Sequence, residues 1–348
     1  MSITDKIIRN IFSSWAFYFI QLSIGFFLMP FMVSRLGAEI YGLWMLILSS
    51  AGYMYIFDFG IRGSAVKYIS EYEAKEDFDT LNKVINTSWL LHIIAGLAVI
   101  LIVFILSNFL QYFFKIDSHL INDFRLCFRI IGLNIGITFF LIIFMGILEG
   151  YKRQDIISGI EIAAFILQSF LIVLCIIRGS GIVSLAIILI SVNVAKQAVR
   201  TILAFKICPR LRLGINFLSR ATLRHIFSYS FFLFILQSLQ NFLGALPNII
   251  LGALLGPIAI TFYSIASRLI GYASTVLSTT SGVLVPFISS FQALDDKERL
   301  SKSFIVGSRY SYALVLFFGL TMLIMGKPFI KLWMGAKFAF TSYKVLLV

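Results

Sequence analysis

The chain has 348 residues, 59% of them hydrophobic and only 13% charged, with a mean hydropathy of +0.96. That composition excludes a water-soluble domain and places the chain among polytopic membrane proteins. A net charge of +13 invites a nucleic-acid reading, but the basic residues fall mainly in alternate loops, as the positive-inside rule expects of a membrane protein.

A membrane span needs about 20 mostly apolar residues. Such stretches lie at 11–34, 41–57, 84–110, 125–148, 157–177, 182–205, 226–251, 258–285 and 304–325, with a tenth just beginning near the end. With a cytoplasmic N-terminus, sixteen of the 29 basic residues fall on the inside, six in outside loops, and seven within or at the edges of spans. An N-in, all-α topology is the expectation. No cleavable signal peptide is expected, because the first span is too long and lacks a small-residue cleavage site. Cys127, Cys175 and Cys208 lie in or beside separate spans without metal-ligand spacing, and read as small apolar residues.

The sequence echoes itself at an offset of 219: Leu36-Gly37 matches Leu255-Gly256, Gly52-Tyr53 matches Gly271-Tyr272, and Lys83 matches Lys302. Span 1 thus pairs with span 7, and six being even, the copies enter the membrane in the same sense. They are expected to be parallel repeats related by an axis along the membrane normal. The expected lobes are 1–215, with six helices and a basic linker beginning near 206, and 216–348, with about three helices and the start of a fourth. The linker, KICPRLRLGINFLSRATLR, carries five basic residues and is expected to lie on the cytoplasmic side, where such stretches meet anionic lipid. By the same offset Val348 corresponds to Arg129, so the sequence reads as a piece of a twelve-span protein, a natural nine- or ten-span form being the other reading.

Polar groups inside spans need a reason to be there. Arg268 sits about ten residues into span 8 and shares a helical face with Ser264, Tyr272 and Thr275. It reads either as a cap on neighbouring carbonyls or as an anion contact on a cavity wall. Span 7 carries Gln237, Gln240, Asn241 and Asn248, with Pro247 expected to interrupt the helix; Gln21 in span 1 is the echo of Gln237. These amides read as interhelical glue or as a wall that hydrogen-bonds sugar hydroxyls. Arg125 and Arg129 lie one turn apart at the start of span 4, Arg125 snorkelling and Arg129 deeper. Glu161 and Arg200 fall at similar depth near the cytoplasmic end, with Lys196 a turn deeper, and suggest an ion pair or a coupling site.

Asp58, in FDFGIRGSAVKY, precedes Arg62 by one turn and reads as an intrahelical pair or a cytoplasmic gate, with Gly60 and Gly63 permitting a tight bend. Gly132 with Gly136, and Gly252 with Gly256, read as small-residue packing sites. His92, His119 and His225 are scattered, and no P-loop, zinc motif or carboxylate pair is present, so neither an enzyme nor a bound cofactor or metal is expected.

The stretch 30–72 resembles the start of the polysaccharide transporter family, the Wzx-type O-antigen and teichoic-acid flippase branch of the multidrug/oligosaccharidyl-lipid/polysaccharide exporter superfamily. The likeness rests on Arg35-Leu36-Gly37, Tyr41-Gly42 and Trp44, followed by the turn Asp58-Phe59-Gly60. A second-lobe hairpin, Leu255-Gly256 with Tyr263, Ala266 and Arg268, resembles the family's corresponding motif. The resemblance implies a bacterial inner-membrane flippase for undecaprenyl-diphosphate-linked oligosaccharide. It further implies membrane lipids as neighbours and a polysaccharide polymerase and chain-length regulator as partners. On that reading Arg268 and then Arg129 meet the diphosphate, Gln21, Gln237, Asn241 and Tyr272 meet sugar hydroxyls, and Asp58 with Arg62 gates the mouth. The other readings are a cation-coupled multidrug exporter, a glycan polymerase or acyltransferase, and a non-transporting scaffold of a glycan-assembly complex.

Overall fold

The computed structural model describes residues 3–282 and 297–347. Among them the chain is helical throughout, without strands. The helices are α1 (Ile3–Leu36), α2 (Ala38–Gly52), α3 (Ile61–Ala74), α4 (Phe78–Leu106), the short α5 (Leu110–Phe113), α6 (Ile121–Gly150), α7 (Gln154–Ile177), α8 (Ile182–Ile207), α9 (Arg220–Leu254), α10 (Pro257–Gly282), α11 (Lys297–Met334) and α12 (Ala336–Leu346). A 3₁₀ turn, Tyr53–Asp58, follows α2, and a second, Ile215–Phe217, lies in the linker.

Eight of these segments are long and apolar enough to cross a membrane: α1 from Phe12, α2 with its 3₁₀ turn, α4, α6, α7, α8, α9, and α11 from Leu300. Eight of the nine expected spans are thus found among these helices; most outrun the apolar window, while α4 ends at Leu106, before the expected 110, and two of them start at a side-chain cap. Asp77 accepts from Thr80 N at 3.0 Å to start α4, and Ser219 from Thr222 N at 3.3 Å to start α9. The helix α10 is not among the eight; Ser264, Arg268, Tyr272 and Thr275 dilute its apolar content. Residues 283–285 of the expected eighth span lie outside the described residues.

The chain divides into two compact units, Met1–Ile258 and Ala259–Val348. In the first, α6 is central, packing on α2, α3, α4 and α8, while α1 lies along α7. Close approach of α4 and α6 depends on glycine: a Cβ at Gly132 would stand 2.2 Å from Val103 Cγ1, and one at Gly136 2.4 Å from Ile100 Cγ1. This is the small-residue contact expected of Gly132 and Gly136. At one end of the bundle Ile69, Leu81, Ile85, Ile143, Phe144 and Ile147 form the core with Cys208 and Leu211 of the linker.

The linker does not hang free. Asn82 Nδ2 donates to the Arg210 carbonyl at 3.0 Å while its Oδ1 accepts from Arg212 N at 2.8 Å. One turn on, Asn86 repeats this with the Arg212 carbonyl at 2.8 Å and Gly214 N at 2.9 Å. Two amides spaced one helical turn apart therefore match alternate residues of the linker backbone, and Arg210 also lies 4.3 Å from the Phe78 ring. The helix α9 that follows packs on α2, α3 and α4, so the contact-defined boundary lies after α9, whereas the sequence echo begins before it. Pro247 does not interrupt α9, contrary to expectation. The next residue ties α9 to α2, Asn248 Nδ2 donating to Ser49 Oγ at 2.7 Å.

Within the second unit α11 packs on α12, and the Phe262 and Phe338 rings lie 5.5 Å apart. The sequence echo has a backbone counterpart: Gly37, between α1 and α2, has φ +85°, and Gly256, between α9 and α10, has φ +87°. Each reverses the chain in a conformation that a side chain would strain.

Candidate functional site

The site is organised by the bend Asp58-Phe59-Gly60. After the 3₁₀ turn, Phe59 (φ +48°) and Gly60 (φ +71°) are both left-handed, which reverses the chain into α3. Gly60 presses on α9; a Cβ there would lie 2.5 Å from the Ser230 carbonyl oxygen and 2.9 Å from Phe234 N. Four residues on, the Ser64 and Ser230 hydroxyls share a 2.6 Å hydrogen bond.

This bend corrects the expected pairing of Asp58 with Arg62. An i, i+4 pair requires a continuous helix, and the two left-handed residues break it. Asp58 Oδ1 instead meets His92 Nε2 of α4 at 2.9 Å, with His92 fully buried and its ring stacked on Phe139 at 6.2 Å. Arg62 pairs with Glu149 of α6. His92, read as isolated in the sequence, and Glu149 are the partners that sequence order could not supply.

Two polar cavities lie inside this unit, of about 420 and about 500 Å³, and both are lined by Tyr55, Arg62 and Ile142. The first is walled by α6, α7 and α8. Its polar lining includes Asn134, Thr138, Gln168 and Asn193, together with a cluster in which Arg200 and Lys196 converge on Glu161. Lys196 Nζ stands 3.3 Å from Glu161 Oε2, and Arg200, 3% exposed, donates to Glu161 Oε1 and to Gln197 Oε1 at 3.3 Å. Asn193 Nδ2 bridges Asn134 Oδ1 at 2.8 Å and Thr138 Oγ1 at 2.9 Å. The second cavity is lined by Asp58, Arg62, Gly63, Val66, Glu149 and Gln240. Asn134, Thr138, Gln168 and Asn193 were not singled out in the sequence. Their signal is spacing: Asn134 and Thr138 lie one turn apart, and Asn193, Lys196, Gln197 and Arg200 follow one helical face.

The structure brings the expected gating residues, Asp58 and Arg62, to the cavities, whereas Arg129 and Gln21, of the same unit, line neither. Arg129 closes the end of α4, its Nε donating to Ser107 Oγ and its Nη2 to Asn108 Oδ1, both at 2.8 Å. Arg125, one turn before, donates to Gln111 at 3.0 Å. Gln21 is exposed on α1. Arg268 is exposed on α10, its guanidinium 5.8 Å from the Tyr272 ring, a cation–π contact that holds both on one face. The side chains of Gln237 and Asn241 lie outside the described residues.

The fold is that of transporters. The chain superposes on the inward-facing conformation of a multidrug resistance MATE family transporter of the MOP superfamily with a TM-score of 0.73 at 14% identity, covering 94% of this chain and 75% of that one. It matches a MOP superfamily transporter from Pyrococcus furiosus, described as having a binding pocket of reverse polarity, with a TM-score of 0.66 at 15% identity over 98% and 76% of the two chains. In sequence it is 21% identical to a Shigella flexneri protein provisionally named an O-antigen transporter, covering 99% of this chain and 80% of that protein. The family model for polysaccharide biosynthesis proteins matches residues 7–292. With membrane-length helices, the MOP transporter fold and that match over most of its length, the chain belongs to the polysaccharide biosynthesis protein family.

Proposed function

We propose that this protein is a flippase for undecaprenyl-diphosphate-linked oligosaccharide, working in the bacterial inner membrane with a cytoplasmic N-terminus. The observation that carries the reading is the cavity of about 420 Å³ whose walls combine amides, hydroxyls and basic side chains, with the carboxylate of Glu161, among membrane-length helices. That volume falls within the range of about 300–1,000 Å³ typical of ligand sites. Amide groups that donate and accept suit sugar hydroxyls, while ionisable residues at membrane depth mark a substrate path. The lipid tail would stay in the bilayer as the glycan crosses, with the two repeats rocking to expose it first to one side and then to the other.

In this reading the exposed Arg268, steadied on Tyr272, meets the diphosphate, since guanidinium groups bind phosphate oxygens bidentately. Arg129 is the second proposed phosphate contact, and Gln21, Gln237 and Asn241 are the proposed hydroxyl contacts. Asp58 and Arg62 act at the mouth through their partners His92 and Glu149. Export of a cationic drug would call for an acid left for the cargo, and Glu149 and Glu161 each already face a basic partner.

The test is deletion of the gene in its host, with the lipid-linked glycan located by a membrane-impermeant probe in spheroplasts. Accumulation on the cytoplasmic leaflet and loss of surface glycan are expected, and Arg268→Ala, present at normal levels, should reproduce both. Normal surface glycan together with new sensitivity to cationic drugs would overturn the reading.

A further inference from the structure

The larger charge pattern around the first cavity is uneven. Glu161 is a single carboxylate shared by two cations, Lys196 and Arg200. The other charged group on these walls, Arg62, is answered by Glu149 of α6. One positive charge in the α7–α8 cluster therefore has no carboxylate of its own among the described residues. Burying charge without a partner is unfavourable, and among the described residues the Nε atoms of Arg200 and Arg62 are buried without a hydrogen-bond partner. Lys196 is the more accessible of the two cations at Glu161, with its side chain 21% exposed against 3% for Arg200. Asn134, Thr138, Gln168 and Asn193 line the same space, and they offer donors and acceptors but no further charge.

We propose that this cavity binds an acidic sugar of the transported glycan. Lys196 takes the sugar's oxyanion, Arg200 supplies the second positive charge behind it, and the amides of α6, α7 and α8 take the neighbouring hydroxyls. Two cations would then face two carboxylates, one from Glu161 and one from the ligand. A deficit of one charge suits the carboxylate of a uronic acid better than a diphosphate, which brings two or more negative charges. The inference rests on the glycan-transport reading and deepens it by naming the substrate class.

The experiment uses the full chain in nanodiscs and three probes: the disaccharide of glucuronic acid and N-acetylglucosamine, neutral N-acetyllactosamine, and inorganic pyrophosphate. Binding of the acidic disaccharide at least tenfold tighter than the neutral one is expected, with the preference lost in Lys196→Gln and kept in Lys196→Arg. Equal binding of the two disaccharides, no binding of either, or a preference that survives Lys196→Gln would overturn the proposal. Pyrophosphate binding that depends on Lys196, without discrimination between the disaccharides, would assign the oxyanion to the lipid carrier and overturn the sugar assignment. Failure of the underlying reading is seen separately, in proteoliposomes. Flipping of acidic and neutral glycolipids alike would overturn only this inference, whereas flipping of neither would overturn the transport reading.

Discussion

His92 Nε2 and Asp58 Oδ1 meet at 2.9 Å in the interior of the first unit, joining α4 to the bend that follows α2. The two residues are 34 positions apart, and the contact fixes where α3 begins and hence where Arg62 is presented to both cavities. A buried hydrogen bond to a charged group contributes about 1.5–3 kcal/mol. A double-mutant cycle of Asp58→Ala and His92→Ala, read by unfolding in detergent, should return a coupling energy of that size. A coupling near zero would mean that the two side chains are neighbours without being partners.

Gly60 and Gly63 line the same bend but differ in what surrounds them. At Gly60 a side chain meets both a left-handed backbone, at a cost of about 1–2 kcal/mol, and the backbone of α9. At Gly63 it meets only the end of the Leu233 side chain, which can rotate away. Gly60→Ala should therefore lower the thermal midpoint several degrees more than Gly63→Ala, and the reverse order would refute the close approach to α9.

The amides of Asn82 and Asn86 hold the linker by four hydrogen bonds to its backbone. Arg210 and Arg212 are exposed on that segment and offer trypsin its cleavage sites. Replacing either asparagine by alanine removes two bonds and leaves linker groups unsatisfied, a cost of about 1–3 kcal/mol. Since about 1.4 kcal/mol is a factor of ten in an equilibrium, cleavage after Arg210 and Arg212 should quicken roughly tenfold or more. Unchanged cleavage in the double variant would show that the linker is held by other contacts.

Asp77 caps α4, and the hydrogen bonds from Thr80 hold its carboxyl below the usual range. A carboxylate whose folded pKa is depressed adds stability above its unfolded pKa, and that stability is lost as pH falls through the folded value. The thermal midpoint of wild type should therefore fall faster below about pH 4 than that of Asp77→Asn. Parallel curves would exclude the cap as a contributor.

The sequence alone determined the membrane class, the helix order and the internal echo. Each depends on local quantities: runs of apolar residues, and glycines such as Gly37 and Gly256 at matched positions. Asp58-Phe59-Gly60 stood out as a bend for the same reason, since a reversal of the chain is a property of neighbouring residues. Partners were decided by the tertiary structure. Asp58 bonds to His92 rather than to Arg62, Arg62 to Glu149, and Asn193 to Asn134 and Thr138, because these meetings depend on how helices cross. Arg268 and Arg129 were conspicuous as charges within apolar runs, yet such runs do not reveal which helix face looks into a cavity. That depends on small residues such as Gly132 and Gly136, which draw α4 and α6 together and set how the unit's other helices close around its polar space.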